Sequence, residues 1–324
     1  MPINWGELRR AAESQADLLS RAQCLRAGAG DELIAWRVSS GRWVRIHDGV
    51  YLTKPGRADW LVRGVAALLR VLSTAQAADA ALRGSSAAYL WGLESRPPTT
   101  VELVVPASRY VTAPEGVTVT RSRHFDRLVD DRAYPWRTTV AATVLDLADQ
   151  SQATDALAVV ARSVQREAVT VGELRGELAA RARHRHRRLL NAALADVDEG
   201  GQSGAELLYI RDVESAHGLP RGVRQGPSDE GQRRYHDTSY EEFGLIVEVD
   251  GRLGHERWSD RVRDGRRDRQ LLTTAQVTTR VFWPDVALSP CTTAVEVGQI
   301  LGGRGWRGRL RPCRRPGCPV SASA

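Results

Sequence analysis

The sequence predicts an α+β multidomain protein, and three observations carry that reading. At 324 residues the chain has room for two or three domains, each able to bury a core. Near the N-terminus, three stretches of helical apolar spacing lead into two alternating segments around Asp48-Gly49. Further on, Leu245-Ile246-Val247-Glu248-Val249-Asp250-Gly251 is an apolar, β-prone run that ends in acids.

The N-terminal elements follow in order. Residues 4–19 read as a helix with Trp5, Leu8, Ala12, Leu18 and Leu19 on its apolar side. Ser20 is a suitable N-cap for a second helix over 21–26, closed by Gly28 and Gly30. Asp31 is expected to cap a third over 32–39, which Gly41 ends. Residues 42–47 and 50–52 then form a tight hairpin. Three small helices followed by a hairpin is the order of a winged helix, here residues 1–57. In such a domain the third helix enters the major groove of double-stranded DNA and the wing touches the backbone. Arg37 would then lie nearest the bases, with Arg42 and Arg45 on phosphates. A module of the same order that binds only protein fits these residues too. Ala22-Gln23, Ala27-Gly28, Gly41-Arg42-Trp43 and Ile46-His47-Asp48-Gly49-Val50-Tyr51 resemble the N-terminal domain of AbiEi-type antitoxins of type IV toxin–antitoxin systems. That resemblance implies a DNA-binding autoregulator with a cognate toxin as partner.

Residues 58–195 form a mixed α/β middle region with the layout seen after the AbiEi-type domain. Helices are expected over 60–72, from Ser85-Ser86 as caps, over 140–148 and over 155–167. Strand-like segments lie at 101–105 and 117–121. Thr170-Val171-Gly172-Glu173 has capping-box spacing. Trp36, Trp43, Trp60, Trp91 and Trp136 read as core or interface residues rather than a ligand cage. Arg181 to Arg188 is the densest basic run before the tail, fit either for DNA phosphates or for a solvated helix. Asp196 to Gly204 reads as a linker into the next domain.

Glu248 and Asp250 stand two apart and so share a face of a strand. Asp237 lies upstream: residues 237–240 are one strand, 241–244 the turn and 245–250 the returning strand. A hairpin of that size brings Asp237 beside Glu248. Clustered carboxylates are costly to desolvate and repel one another, and a divalent cation such as Mg²⁺ removes both penalties. This is the chemistry of metal-assisted phosphodiester hydrolysis. A hairpin with acids at its solvent end has the same spacing. Asp237, Glu248-Val249-Asp250-Gly251, His255, residues 266–272 and Arg280-Val281-Phe282-Trp283 are similar to the very-short-patch-repair (Vsr-like) endonuclease domain. That domain is a branch of the restriction-endonuclease-like PD-(D/E)XK fold. The resemblance covers residues 203–301 and implies a mixed sheet flanked by helices. It implies metal ligation by Asp237, Glu248 and Asp250, support from Glu206 on the first helix, and Asp268 and Arg269 on a later helix. The general fold pattern has a lysine where Asp250 stands. The Vsr-like branch lacks it as well, which leaves the general base unassigned and His255 its best candidate. An enzymatically idle copy of the fold fits the same residues.

Residues 302–324 are a basic, Cys-containing tail, Pro/Gly-rich and expected to be poorly ordered from Trp306 to Ala324. Its arginines supply +6 of the formal +7, so the global charge says little about nucleic acid. Cys313 and Cys318 make a C-x₄-C pair. Cys291 and a histidine would be needed to complete a metal site, and ligand count favours a reversible disulfide or idle thiols. Four scattered cysteines, no membrane-length apolar run and no leader pattern predict a cytoplasmic protein without a membrane partner or an organic cofactor.

Overall fold

A computed structural model of the chain describes residues 2–72, 78–199, 204–224, 237–250 and 277–320. The chain forms two compact units, residues 1–147 and 148–324, each mixing helices and sheet. The boundary falls inside one helix, Val140–Gln150.

The first unit opens with α1 (Trp5–Ser14), where the Asn4 side chain accepts from the Glu7 N–H. The helix stops earlier than its apolar spacing predicts. Ala16 and Asp17 take φ of 56° and 64°, in the left-handed region that ends a right-handed helix. The chain then enters β1 (Leu18–Ser20), so Leu18 and Leu19 belong to a strand and not to α1. Both are buried because the strand is covered on two sides. Leu19 packs with Leu8, Ala12 and Ile34, whereas Leu18 packs with Val62, Val65 and Leu69.

Ser20 caps α2 (Arg21–Arg26) in a reciprocal capping box with Gln23. The third helix, α3 (Asp31–Ser39), starts from Gly30 instead of Asp31. Arg21 claims the Asp31 carboxylate at 2.7 and 2.5 Å, which diverts it from the expected cap. β2 (Val44–His47) and β3 (Val50–Leu52) then turn around Asp48-Gly49. The antiparallel sheet has the order β1-β3-β2, with α4 (Trp60–Val71) on its other side.

A five-stranded mixed sheet completes this unit in the order β6-β5-β4-β8-β7. Its strands are β4 (Ala81–Leu82), β5 (Val101–Pro106), β6 (Val117–Ser122), β7 (Val129–Asp130) and β8 (Arg137–Thr138). Ser85 and Ser86 do not cap α5 (Gly84–Leu90). They lie inside it and turn to Glu102, Ser85 Oγ donating to the carboxylate and Ser86 Oγ accepting the amide, each at 2.9 Å. Arg83 donates through Nε and Nη2 to the buried Asp146 at 3.1 and 2.8 Å.

The second unit contains the helices Ala153–Gln165, Val171–Ala180 and Arg187–Glu199, the middle one opened by the expected Thr170–Glu173 capping box. Asp196–Glu199 therefore continue a helix that sequence reading had ended in a linker. The basic run before that helix is largely built into the fold. Arg181 pairs with Glu177 at 3.0 Å, Arg187 donates to the Leu178 carbonyl at 2.9 Å, and the Arg185 amide donates to Asp149 at 2.6 Å. Arg183 and Arg188 are exposed.

Helix Gly204–Leu208 runs on into a π-helical stretch, Tyr209–Ser215. The sheet that follows has the order β12-β11-β10-β9, with β9 (Val223–Arg224), β10 (Asp237–Tyr240), β11 (Leu245–Asp250) and β12 (Val277–Phe282). β9, β10 and β11 are antiparallel neighbours, while β12 runs parallel to β11. The 245–250 return strand forms as expected, after a 3₁₀ turn Glu241–Phe243. Gly244, at φ 59° and ψ 33°, makes the left-handed step that reverses the chain. Two helices close the unit, Trp283–Ala287 and Pro290–Gly303.

The tail departs from its expected disorder over residues 306–320. The Arg311 amide donates to the His217 carbonyl and its guanidinium to the Ser215 carbonyl, both at 3.0 Å. Arg315 pairs with Asp212 at 2.8 Å, and Val320 is buried. The Arg311 and Arg315 side chains are thus taken up by a carbonyl and a carboxylate of the π-helical stretch, contacts that composition alone does not reveal.

Candidate functional site

The β10–β11 hairpin places Asp237 directly opposite Glu248 in register. On the other flank of β11, Glu248 stands opposite Arg280 of β12, and the Arg280 Nε donates to Glu248 Oε2 at 2.8 Å. An acid, an acid and a guanidinium thus occupy one row across three adjacent strands. Glu248 is only 4% exposed, so its charge is held away from solvent beside a fixed counter-charge. Glu206 is also buried, on the short helix Gly204–Leu208 that lies against β11. Asp250 closes β11. His255, Asp268 and Arg269 lie outside the described residues.

A second polar group escaped the sequence reading. Glu214, buried on the π-helical stretch, accepts at one oxygen from the Gly222 amide at 3.1 Å, Arg224 Nη2 at 2.9 Å and Tyr240 Oη at 3.1 Å. The Tyr240 and Tyr209 hydroxyls lie 3.0 Å apart. Burial, first of all, pushes both phenols well above their ordinary range, so they remain protonated hydrogen-bonding groups at neutral pH. This network ties the π-helical stretch, β9 and β10 together. No local motif announces it, because Glu214 meets partners from two separate segments, one at residues 222–224 and one at Tyr240.

In the first unit the three expected DNA-contact residues have different settings. Arg37 is half-buried, with its guanidinium carbon 4.8 Å from the Trp5 ring centre, 5.5 Å from Trp36 and 5.9 Å from Trp43. Its Nε is buried and has no hydrogen-bond partner, as fits a cation held by aromatic faces. Arg42 is exposed, with its guanidinium carbon 4.7 Å from the centre of the same Trp36 ring. Arg45 is exposed on the β2–β3 hairpin and pairs with Asp48. Trp36 is 48% exposed, whereas Trp43 and Trp60 are buried as expected of core residues. An open cleft of about 440 Å³ beside the β2–β3 hairpin is lined by Arg45, His47, Asp48, Arg70 and Glu115 among others. Its mixed charges give phosphate no uniform attraction.

The structure also gathers His217, Cys291, Cys313 and Cys318, the set that sequence reading left incomplete. Burial pushes the Cys291 thiol up to about 12. Burial acts the same way on Cys318, but the backbone N–H groups of Cys313 and Val320 are foremost among the contacts that bring it down to about 6.

No protein-family model matches the chain, and no curated protein sequence does so either.

Proposed function

We propose that this chain is a DNA-binding protein, with a winged-helix reader in its first unit and a Vsr-like, PD-(D/E)XK endonuclease-type core in its second. The supporting observation is the register of Asp237 against Glu248 beside the helix that carries Glu206. The element order helix–β9–β10–β11–β12, with β12 parallel to β11, agrees with a mixed sheet of that class.

Carboxylate oxygens are hard donors suited to Mg²⁺, and Asp237, Glu248 and Asp250 would hold it with Glu206 in support. When bound, the ion would polarise a phosphoryl oxygen and lower the pKa of a water. The chain's own part would be to orient the phosphodiester and to move a proton at His255. Purified protein is expected to nick plasmid DNA with Mg²⁺ or Mn²⁺, and Glu248→Ala to abolish nicking. Equal inertness of both proteins across varied DNA substrates would remove the hydrolytic reading.

The Arg280–Glu248 pair favours a second reading, a non-enzymatic autoregulator or antitoxin that keeps the fold as a platform. A guanidinium at the carboxylate offsets the negative charge a cation needs, and offers a partner for phosphate. That reading expects salt-sensitive promoter binding that falls in the Arg42→Ala/Arg45→Ala double variant, without any nicking. Unchanged promoter affinity in that variant would count against it. Arg37 is a poor probe here, because its substitution also unpacks three tryptophans.

A further inference from the structure

His217 Nε2 and the Sγ atoms of Cys291, Cys313 and Cys318 belong to a group whose donor atoms all lie within 4.8 Å of one another. A tetrahedron with Zn–S bonds of about 2.3 Å has edges of about 3.8 Å. Cys291 Sγ to Cys313 Sγ is 3.5 Å, and Cys318 Sγ to His217 Nε2 is 3.7 Å, close to that edge. A disulfide would join two of these sulfurs and leave a buried imidazole facing the third.

The histidine is prepared for ligation. Its Nδ1 lies 3.2 Å from the Val213 carbonyl oxygen, which can only accept, so Nδ1 carries the hydrogen. Nε2 then presents its lone pair to the cysteines, and the carbonyl fixes both the tautomer and the ring angle. His217 is fully buried, so water does not compete for that lone pair. Cys313 Sγ accepts the Arg315 amide at 3.4 Å, which holds the sulfur in place. Cys291 is the second residue of the helix Pro290–Gly303, so its backbone is fixed by a regular element.

We propose that these four residues bind one Zn²⁺. Four protein donors fill its coordination shell, which makes the site structural, and three soft thiolates select zinc over Mg²⁺. The ion joins the end of the π-helical segment, the start of the last helix and the tail at Cys313 and Cys318. The basic tail is thereby pinned to the sheet-bearing unit, independently of any chemistry at Glu248.

The test is metal analysis of the full-length reduced protein, with Co²⁺ exchange as a spectroscopic probe. About one zinc per chain is expected, and Co²⁺ should give the visible bands of a tetrahedral thiolate site. Cys318→Ser should weaken zinc binding more than about 100-fold, beyond the loss from an outer hydrogen bond. His217→Cys should retain the metal with an altered Co²⁺ spectrum, and Glu248→Ala should leave zinc content unchanged. Reduced wild type that takes up neither zinc nor Co²⁺ overturns the proposal. So does a Cys318→Ser protein that remains folded by circular dichroism and keeps full zinc affinity, or an as-isolated metal-free chain with a Cys313–Cys318 disulfide.

Discussion

Asp17 shows how one side chain can serve both backbone and charge. It occupies the left-handed region, which Asp and Asn tolerate better than most residues, and that turn makes β1 possible. Its carboxylate is bound by Lys54 Nζ at 2.7 Å and Arg57 Nη1 at 2.8 Å. The Lys54 hydrogen bond, working against burial and helped by Arg57, holds the carboxyl below its ordinary range. A lowered folded pKa gives stability that is present above the unfolded value of about 3.9 and is lost as pH falls through the folded value. Asp17→Asn keeps the backbone preference and removes the charge. It is expected to destabilise by about 1–2 kcal/mol at pH 7, with the gap closing below pH ~4. Urea titrations of both proteins at the two pH values check this. A gap that persists in acid would assign the effect to shape instead of charge.

Among the elements, the junction of β4, α5 and β5 tolerates least. Gly84 has φ +52°, and a Cβ there would lie 1.8 Å from Glu102 Oε2. Gly84→Ala therefore combines backbone strain with displacement of a carboxylate that Ser85 holds. It is expected to cost about 3 kcal/mol or more, read as a lower urea midpoint for the unit. Gly92→Ala, also at positive φ but with open space around its Cβ, should cost about 1 kcal/mol and separates the two effects. The β10–β11 hairpin was legible in the sequence because alternation, the intervening acids and Gly244 all specify one turn. β1 was not, since Leu18 and Leu19 continue the spacing of α1 and only Ala16 and Asp17 reveal the break. The His217–Cys318 contact joins residues 101 apart in sequence, so only half of the thiol cluster could be seen as a motif.

At the scale of the whole molecule, net charge is a poor guide to partners, because the fold itself uses part of it. Of the six tail arginines, Arg304 donates to the Phe243 carbonyl, Arg311 to Ser215 and Arg315 to Asp212, leaving Arg307, Arg309 and Arg314 exposed without those roles. Under the DNA-binding reading, the wing supplies the phosphate contacts. Arg42→Gln with Arg45→Gln should then flatten the slope of log affinity against log salt by about 2, one unit per lost contact. Arg307→Gln with Arg309→Gln should leave it unchanged. Fluorescence anisotropy across a salt series distinguishes these outcomes, and a slope moved only by the second pair would transfer the DNA surface to the tail. Among the described residues no helix is long and apolar enough to cross a membrane.

The ion pair between β11 and β12 has a consequence for how the sheet assembles. Parallel strands far apart in sequence can pair out of step, and a shift of one residue would set Glu248 against Thr279 or Val281 and aim a guanidinium among valines. Stranding a buried charge in this way costs about 3–5 kcal/mol. The Arg280–Glu248 pair therefore favours the native alignment of the two strands over its neighbours by one residue.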